Sequence, residues 1–169
     1  MDSINLVAFT GYAGSGKDEA AKALIQKGWD RKAFADPIKR LVATQHSLTV
    51  EEVEALKDRD YWRRSLQVTS DHLKATFGAY FWVDMLFNEP HNGRLVVPDC
   101  RFAYEALEVR GRGGRVIRID RPGVGPRNEH VSEVGVDAFK PDVLIINDGT
   151  IEDLHRKVFA AVFDGEGRA

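Results

Sequence analysis

Four short apolar runs divide the chain, and between them apolar residues recur at helical spacing. The runs are Ile4-Asn5-Leu6-Val7-Ala8-Phe9, Leu95-Val96-Val97, Val116-Ile117-Arg118-Ile119 and Val143-Leu144-Ile145-Ile146. Runs this short and this apolar suit buried parallel strands. A more mixed stretch, Trp29 to Phe34, reads as one further short strand. A helix is predicted from about Gly16 to Lys27, with Ala20, Ala21, Leu24 and Ile25 on one face and Gly28 as its stop. Ala35-Asp36-Pro37 opens another, with proline in the first turn, where its missing N–H does no harm, and with Leu41 and Val42 toward the core. Thr49-Val50-Glu51-Glu52 has the form of a capping box, which predicts a helix from Val50 to about Asp58. The pattern from Tyr61 to about Phe87 stays helical with an interruption near Gly78. Phe102, Ala106 and Val109 share a helical face closed by Gly111 and Gly113-Gly114. Thr150 caps a last helix bearing Ile151, Leu154, Val158 and Val162 on one side. Strands alternating with helices imply one α/β domain whose parallel sheet is covered on both faces.

From Arg121 to Pro141 the periodicity vanishes. Pro122, Gly123, Gly125 and Pro126 stand there among Arg121, Arg127, His130, Ser132 and Glu133. A structureless connection of this length inside a compact domain reads as a functional lid rather than a linker. Gly165 to Ala169 reads as a frayed tail.

Composition narrows the class. With 43% hydrophobic and 30% charged residues, the chain is that of an ordinary globular protein. A formal charge of −2 argues against a dedicated nucleic-acid binder. Arg110, Arg112, Arg115 and Arg118 read as solvated surface, since no aromatic residues interleave them. One cysteine, Cys100, excludes an internal disulfide and reads as a small buried hydrophobe. The acidic start, the lack of an apolar leader and the lack of a long apolar run point to a cytoplasmic protein without a membrane contact.

The most specific signal is Gly11-Tyr12-Ala13-Gly14-Ser15-Gly16-Lys17-Asp18, a Gly-x-x-x-x-Gly-Lys turn between a strand and a helix. Glycines let backbone N–H groups curl around an anion, and the helix N-terminus adds positive potential. The lysine reaches the β/γ-phosphates. Where Ser or Thr commonly follows the lysine, this chain has Asp18, a carboxylate able to hold hydrated Mg²⁺. Asp99 ends an apolar strand, at the edge where open α/β sheets bind ligands. It serves there as a magnesium or nucleophile-orienting group, as a helix cap, or as both. Arg101 follows with the fork suited to phosphate. Asp36, Lys39, Arg40, Arg63, Arg64 and Gln67 are either a wet helix face or an acceptor pocket. Trp62, Phe77, Phe81 and Trp82 read as core rather than as base-stacking groups. The five histidines show no metal-ligand pairing.

Taken in order, Ser15-Gly16-Lys17-Asp18, Phe34-Ala35-Asp36-Pro37-Ile38-Lys39, Arg63-Arg64-Ser65-Leu66-Gln67, Asp99-Cys100-Arg101-Phe102 with Glu105, His130-Val131-Ser132-Glu133 and Ile146-Asn147-Asp148-Gly149 resemble the bacteriophage deoxynucleoside monophosphate kinases. These belong to the adenylate-kinase-like group of phosphate-loop kinases, and phosphomevalonate kinase is more distantly similar. The resemblance implies a P-loop NTPase three-layer sandwich with core 1–35, 94–120 and 142–169, a helical monophosphate-binding region 36–93 and a lid 121–141. It implies ATP and Mg²⁺ as cofactors and a deoxynucleoside monophosphate as acceptor. No nucleic acid is implied, and a second copy of the chain is a candidate partner. The setting would be the host cytoplasm if the protein is phage-encoded. Ala13, Gly14, Ser15, Gly16, Lys17 and Asp18 would bind ATP, with Asn147 and Gly149 by its adenine. Lys17, Arg121 and Arg127 would be catalytic. Asp36, Lys39, Arg64, Gln67, Asp99, Arg101 and Glu105 would face the acceptor, and Asp18 and Asp99 the metal. An aspartate after the lysine is usual in that family, but Glu19 stands where Thr often follows. A kinase of a small phosphorylated metabolite and a non-catalytic nucleotide switch remain the alternatives.

Overall fold

A computed structural model describes residues 4–57, 59–126 and 135–163. These fall into two compact units, one of residues up to Lys32 and from His91 onward, the other Ala33–Pro90. The first is built on five parallel strands: β1 (Leu6–Thr10), β2 (Asp30–Arg31), β3 (Leu95–Val97), β4 (Arg115–Asp120) and β5 (Val143–Ile146), in the order β2-β3-β1-β4-β5. Residues Leu6, Val7 and Ala8 pair with Leu95, Val96 and Val97, while Val7 to Thr10 pair with Arg115 to Arg118. All strands run the same way, so the loops leaving β1, β3, β4 and β5 meet at one edge of the sheet.

Side chains alternate across the sheet and sort the helices onto its two faces. Val7, Phe9, Val96, Ile117, Ile119 and Ile145 pack with Ala20, Ala21 and Leu24 of α1 (Lys17–Ile25). The same cluster takes in Leu154, Val158 and Val162 of the last helix, α7 (Ile151–Phe163). On the opposite face, α6 (Ala103–Gly111) lies against β1 and β4 through buried Ala106 and Val109. The architecture is therefore an α/β/α sandwich. Gly114 lets α6 turn directly into β4: a Cβ there would stand 2.7 Å from both the Val109 carbonyl oxygen and Leu6.

The second unit consists of α2 (Ala35–His46), α3 (Val50–Leu56), α4 (Asp60–Phe77) and α5 (Phe81–Asn88). Its small core holds Val42, Ala43 and Val53 with Trp62 and Leu66 against them. The capping box that opens α3 is complete: the Glu52 N–H donates to Thr49 Oγ1 at 3.1 Å and the Thr49 N–H donates to Glu52 Oε2 at 2.7 Å. Gly78, at φ 102, separates α4 from α5. Thr150 caps α7, its Oγ1 accepting from the Asp153 N–H at 3.2 Å.

Several expectations need correction. The second strand shrinks from Trp29–Phe34 to two residues. Ile25, Leu41 and Ile151 lie outside the core, 38%, 43% and 55% exposed. Of the four aromatic residues read as core, Trp82 is buried, whereas Phe77 is largely exposed and stacks on Phe81 with centroids 5.2 Å apart. The sheet is covered on both faces except at β5, an outer strand whose Leu144 and Ile146 are open to solvent.

Leu24 is fully buried where α1, the sheet and α7 meet. Leu24→Ala should cost about 2–5 kcal/mol by leaving a cavity in a packed interior. Urea unfolding of the variant should show this as a lower midpoint, and an unchanged midpoint would move the core elsewhere.

Candidate active site

At the end of β1 the chain must reverse within a few residues to begin α1. Gly11, Gly14 and Gly16 have φ values of 132, 86 and 107, conformations that side chains rarely adopt. A Cβ on Gly11 would lie 2.3 Å from the Ile119 carbonyl oxygen, and one on Gly16 would lie 2.5 Å from Asn147 Nδ2. The loop is thus wedged against the ends of β4 and β5. Asn147 completes the wedge, its Nδ2 donating to the Ser15 carbonyl at 2.9 Å. Expected beside adenine, the Asn147 amide holds the glycine loop. Gly149 abuts the carboxylate of Asp153, with 2.7 Å from a built Cβ to Oδ2.

Lys17 is 9% exposed at the first position of α1. Its ammonium donates to the Tyr12 carbonyl at 2.6 Å, and the Ser15 N–H donates to the same oxygen at 3.1 Å. The Ser15 hydroxyl, 1% exposed, and that of Thr10, fully buried, have no hydrogen-bond partner among the described residues. Burying a hydroxyl without a partner is unfavourable, and such a group inside a glycine cradle fits a site shaped for an anion. Asp18 is exposed in the first turn.

Beyond β3, the Cys100 N–H donates to the Phe9 carbonyl at 3.0 Å, which fastens the Asp99–Phe102 loop to β1. Glu105 is 4% exposed, and its Oε2 accepts from the N–H groups of Arg101 at 2.7 Å and Phe102 at 3.1 Å. Phenylalanine has no side-chain acceptor, so only the returning half of a capping box is made. Burial drives the Glu105 pKa up to about 8; the Arg101 N–H opposes this and the Asp99 charge adds to it. Glu105 pins the backbone from which Arg101 projects. Cys100 is buried as expected, and burial pushes its thiol well above the usual range.

The arginines read as solvated surface are tethered. Arg110 Nε donates to Asp142 Oδ1 at 2.9 Å, and Arg115 donates to the Ala161 carbonyl at 2.5 Å. Arg118 is 15% exposed and donates to Asp120 Oδ1 and Asp137 Oδ1, each at 2.7 Å. Arg121 is exposed and, with Tyr12, Arg118, Pro122, Val124 and Ile146, lines an open cleft of about 220 Å³ beside the loop. Sequence reasoning missed Tyr12, Asp120 and Asp137; the one available signal was an arginine on a buried strand, which demands a partner. A wider depression, about 450 Å³, is lined among the described residues by Glu152, His155, Arg156, Phe159 and Ala160 of α7.

In the helical unit, Lys39 is paired with Glu54 at 2.7 Å and lies 3.8 Å from Asp36, whose Oδ2 accepts from the Ala33 N–H at 3.0 Å. Arg64 is exposed on α4 and Gln67 half-buried. Arg127 and the His130–Glu133 block lie outside the described residues. Among the described residues no cluster of three or more His, Cys, Asp or Glu could hold a metal. Mg²⁺ asks less, one or two carboxylates with substrate phosphates completing its shell, and Asp18 and Asp99 fit that requirement.

The glycine-framed loop on a parallel sheet defines a P-loop NTPase. Solved structures with this fold include a shikimate kinase from Acinetobacter baumannii, with TM-score 0.51 at 14% identity, covering 98% of this chain and 96% of that one. The Thermus thermophilus protein TT1252 matches with TM-score 0.51 at 17% identity, over 99% of this chain and 100% of that one. The chain belongs to the deoxynucleotide monophosphate kinase family, whose model matches residues 46–158. A protein of Acanthamoeba polyphaga mimivirus, which carries that name provisionally, is 31% identical over 93% of this chain and 95% of its own. The deoxynucleotide monophosphate kinase of Enterobacteria phage T4 is 31% identical over 59% of this chain, and the match covers 45% of that longer enzyme.

Glu105 supplies a pH test. Its folded pKa of about 8 stands above the ordinary 4.5, so the folded state holds a proton that the unfolded state has released. Its contribution to stability is full below 4.5 and is lost as pH rises through about 8. Relative to Glu105→Gln, the wild-type urea midpoint should fall across that window; parallel profiles would show that Glu105 is ionised throughout.

Proposed function

We propose that this chain transfers the γ-phosphate of ATP to a deoxynucleoside monophosphate, releasing ADP and the deoxynucleoside diphosphate. The observation that carries this reading is a nearly buried Lys17 at the mouth of a glycine-framed loop, in a chain of this family. In-line transfer needs little covalent help from protein; positioning and charge neutralisation do most of the work.

The N–H groups of residues 13–18 hold the donor phosphates, and Lys17 shares its ammonium between the Tyr12 carbonyl and the β/γ-oxygens. Asp18 or Asp99 would hold Mg²⁺, which would supply further neutralisation of those oxygens. The cleft bounded by Tyr12, Arg121, Pro122 and Ile146 receives the donor's base. Arg101, set by Glu105, meets the transferring or acceptor phosphate. In the helical unit, Asp36, Lys39, Arg64 and Gln67 bind the acceptor. Arg121, on this reading, stands between the base cleft and the transferring group. Preference for deoxyribose follows from the family, because an acceptor site that leaves a ribose 2′-hydroxyl buried without a partner rejects it by about 1–3 kcal/mol.

ADP release with ATP, Mg²⁺ and each deoxy- and ribonucleoside monophosphate in turn tests the reading. Deoxy forms should be turned over and ribo forms used poorly; silence across the panel would defeat it. Lys17→Ala should fold normally and lose about 10²–10³ in turnover, because a charge on the developing transition state is gone. Near-normal turnover in the folded variant would remove the loop from the mechanism.

A further inference from the structure

Tyr12 holds the loop at two levels. Its backbone carbonyl accepts from both the Lys17 ammonium and the Ser15 N–H. Its side chain leaves the loop altogether, the hydroxyl donating to the Asp137 carboxylate while the Arg118 guanidinium lies 5.4 Å from the ring centroid. Arg118 binds Asp137 Oδ1 and Asp120 Oδ1 and also donates to the Val136 carbonyl at 3.1 Å. The hydroxyl and the guanidinium together hold the Asp137 carboxyl below its usual range despite some burial.

Asp137 belongs to the short helical turn Gly135–Asp137, and that turn has a second seat. Gly135 is buried on the Asp99–Phe102 loop, where a Cβ would stand 2.8 Å from the Arg101 carbonyl oxygen and 3.3 Å from the Phe102 ring. One three-residue turn therefore meets the phosphate loop through Tyr12, the end of β4 through Arg118, and the Arg101 backbone through Gly135. A guanidinium can make this set of divergent bonds where an ammonium cannot match the geometry.

We propose that Tyr12, Arg118 and Asp137 form a clamp that positions the phosphate loop and Lys17 from outside the glycine motif, keying them to the loop that carries Arg101. They are positioning residues, and their effect on turnover rests on the phosphoryl-transfer reading above. The clamp itself does not, because it predicts a coupling between distant backbone segments in the protein alone.

Amide hydrogen exchange on the full chain reads that coupling. Asp137→Asn and Tyr12→Phe should each speed exchange about tenfold in residues 11–17 as well as in 135–137, since one charge-assisted bond holds both. Exchange altered only around the mutated residue would overturn the clamp. In turnover with the best acceptor, each variant should lose about tenfold in kcat with ATP affinity changed less than about threefold. The double variant should be no worse than the worse single one, since both remove the same bond. Losses that multiply, or that appear only in ATP affinity, would contradict the proposal. A silent acceptor panel would remove the transfer reading and leave the exchange result standing by itself.

Discussion

The ligand edge depends on two places where no Cβ fits: Gly11 against the Ile119 carbonyl and Gly16 against the Asn147 amide. Close approach at both ends forces the connection between β1 and α1 to follow the ends of β4 and β5. Lys17 is thereby delivered to the first turn of α1 with its ammonium directed back at the loop. The same approach fixes the start of α1, whose Ala20, Ala21 and Leu24 then meet α7 on one face of the sheet. Packing and anion site are thus one constraint. Substitution at either glycine is strained by its backbone conformation as well as by contact.

Around that loop the protein uses polar side chains as braces. Asn147 holds the Ser15 carbonyl, Glu105 holds the Arg101 and Phe102 N–H groups, and Asp137 holds Tyr12. Asn147 and Asp137 grip the phosphate loop from other loops, while Glu105 on α6 holds the two residues that lead into that helix. Preorganisation of this kind lets charge develop in a transition state without waiting for groups to reorient.

Much of the fold was legible in the chain because its signals are local. Apolar runs marked β1, β3, β4 and β5 within a residue or two, Thr49 and Thr150 marked helix starts, and the glycine turn marked the anion site. The second strand was overdrawn, since only Asp30 and Arg31 reach β3 before the chain turns away. Ile25 and Leu41 follow Leu24 and Val42 or precede them by one residue, about 100° around the helix, which is enough to leave the buried stripe. Arg118 was misread for a different reason. Two of its partners, Asp137 and Tyr12, are remote in sequence, and an arginine on a buried strand signals that a partner is needed without saying which. Likewise Glu105 entered only through the family resemblance, and its depth and two backbone donors, which make it a brace, had no signal of their own.

The central claim is that the loop amides from Gly14 to Asp18, gripped by Asn147, enclose the donor phosphates. A titration of ¹⁵N-labelled protein with Mg²⁺ and a non-hydrolysable ATP analogue tests it most directly, by amide chemical shifts. The account predicts the largest changes at Gly14, Ser15, Gly16, Lys17 and Asp18 and at the Asn147 side-chain amide. Shifts centred on the exposed face of α7, or none at the loop under saturating analogue, would contradict it.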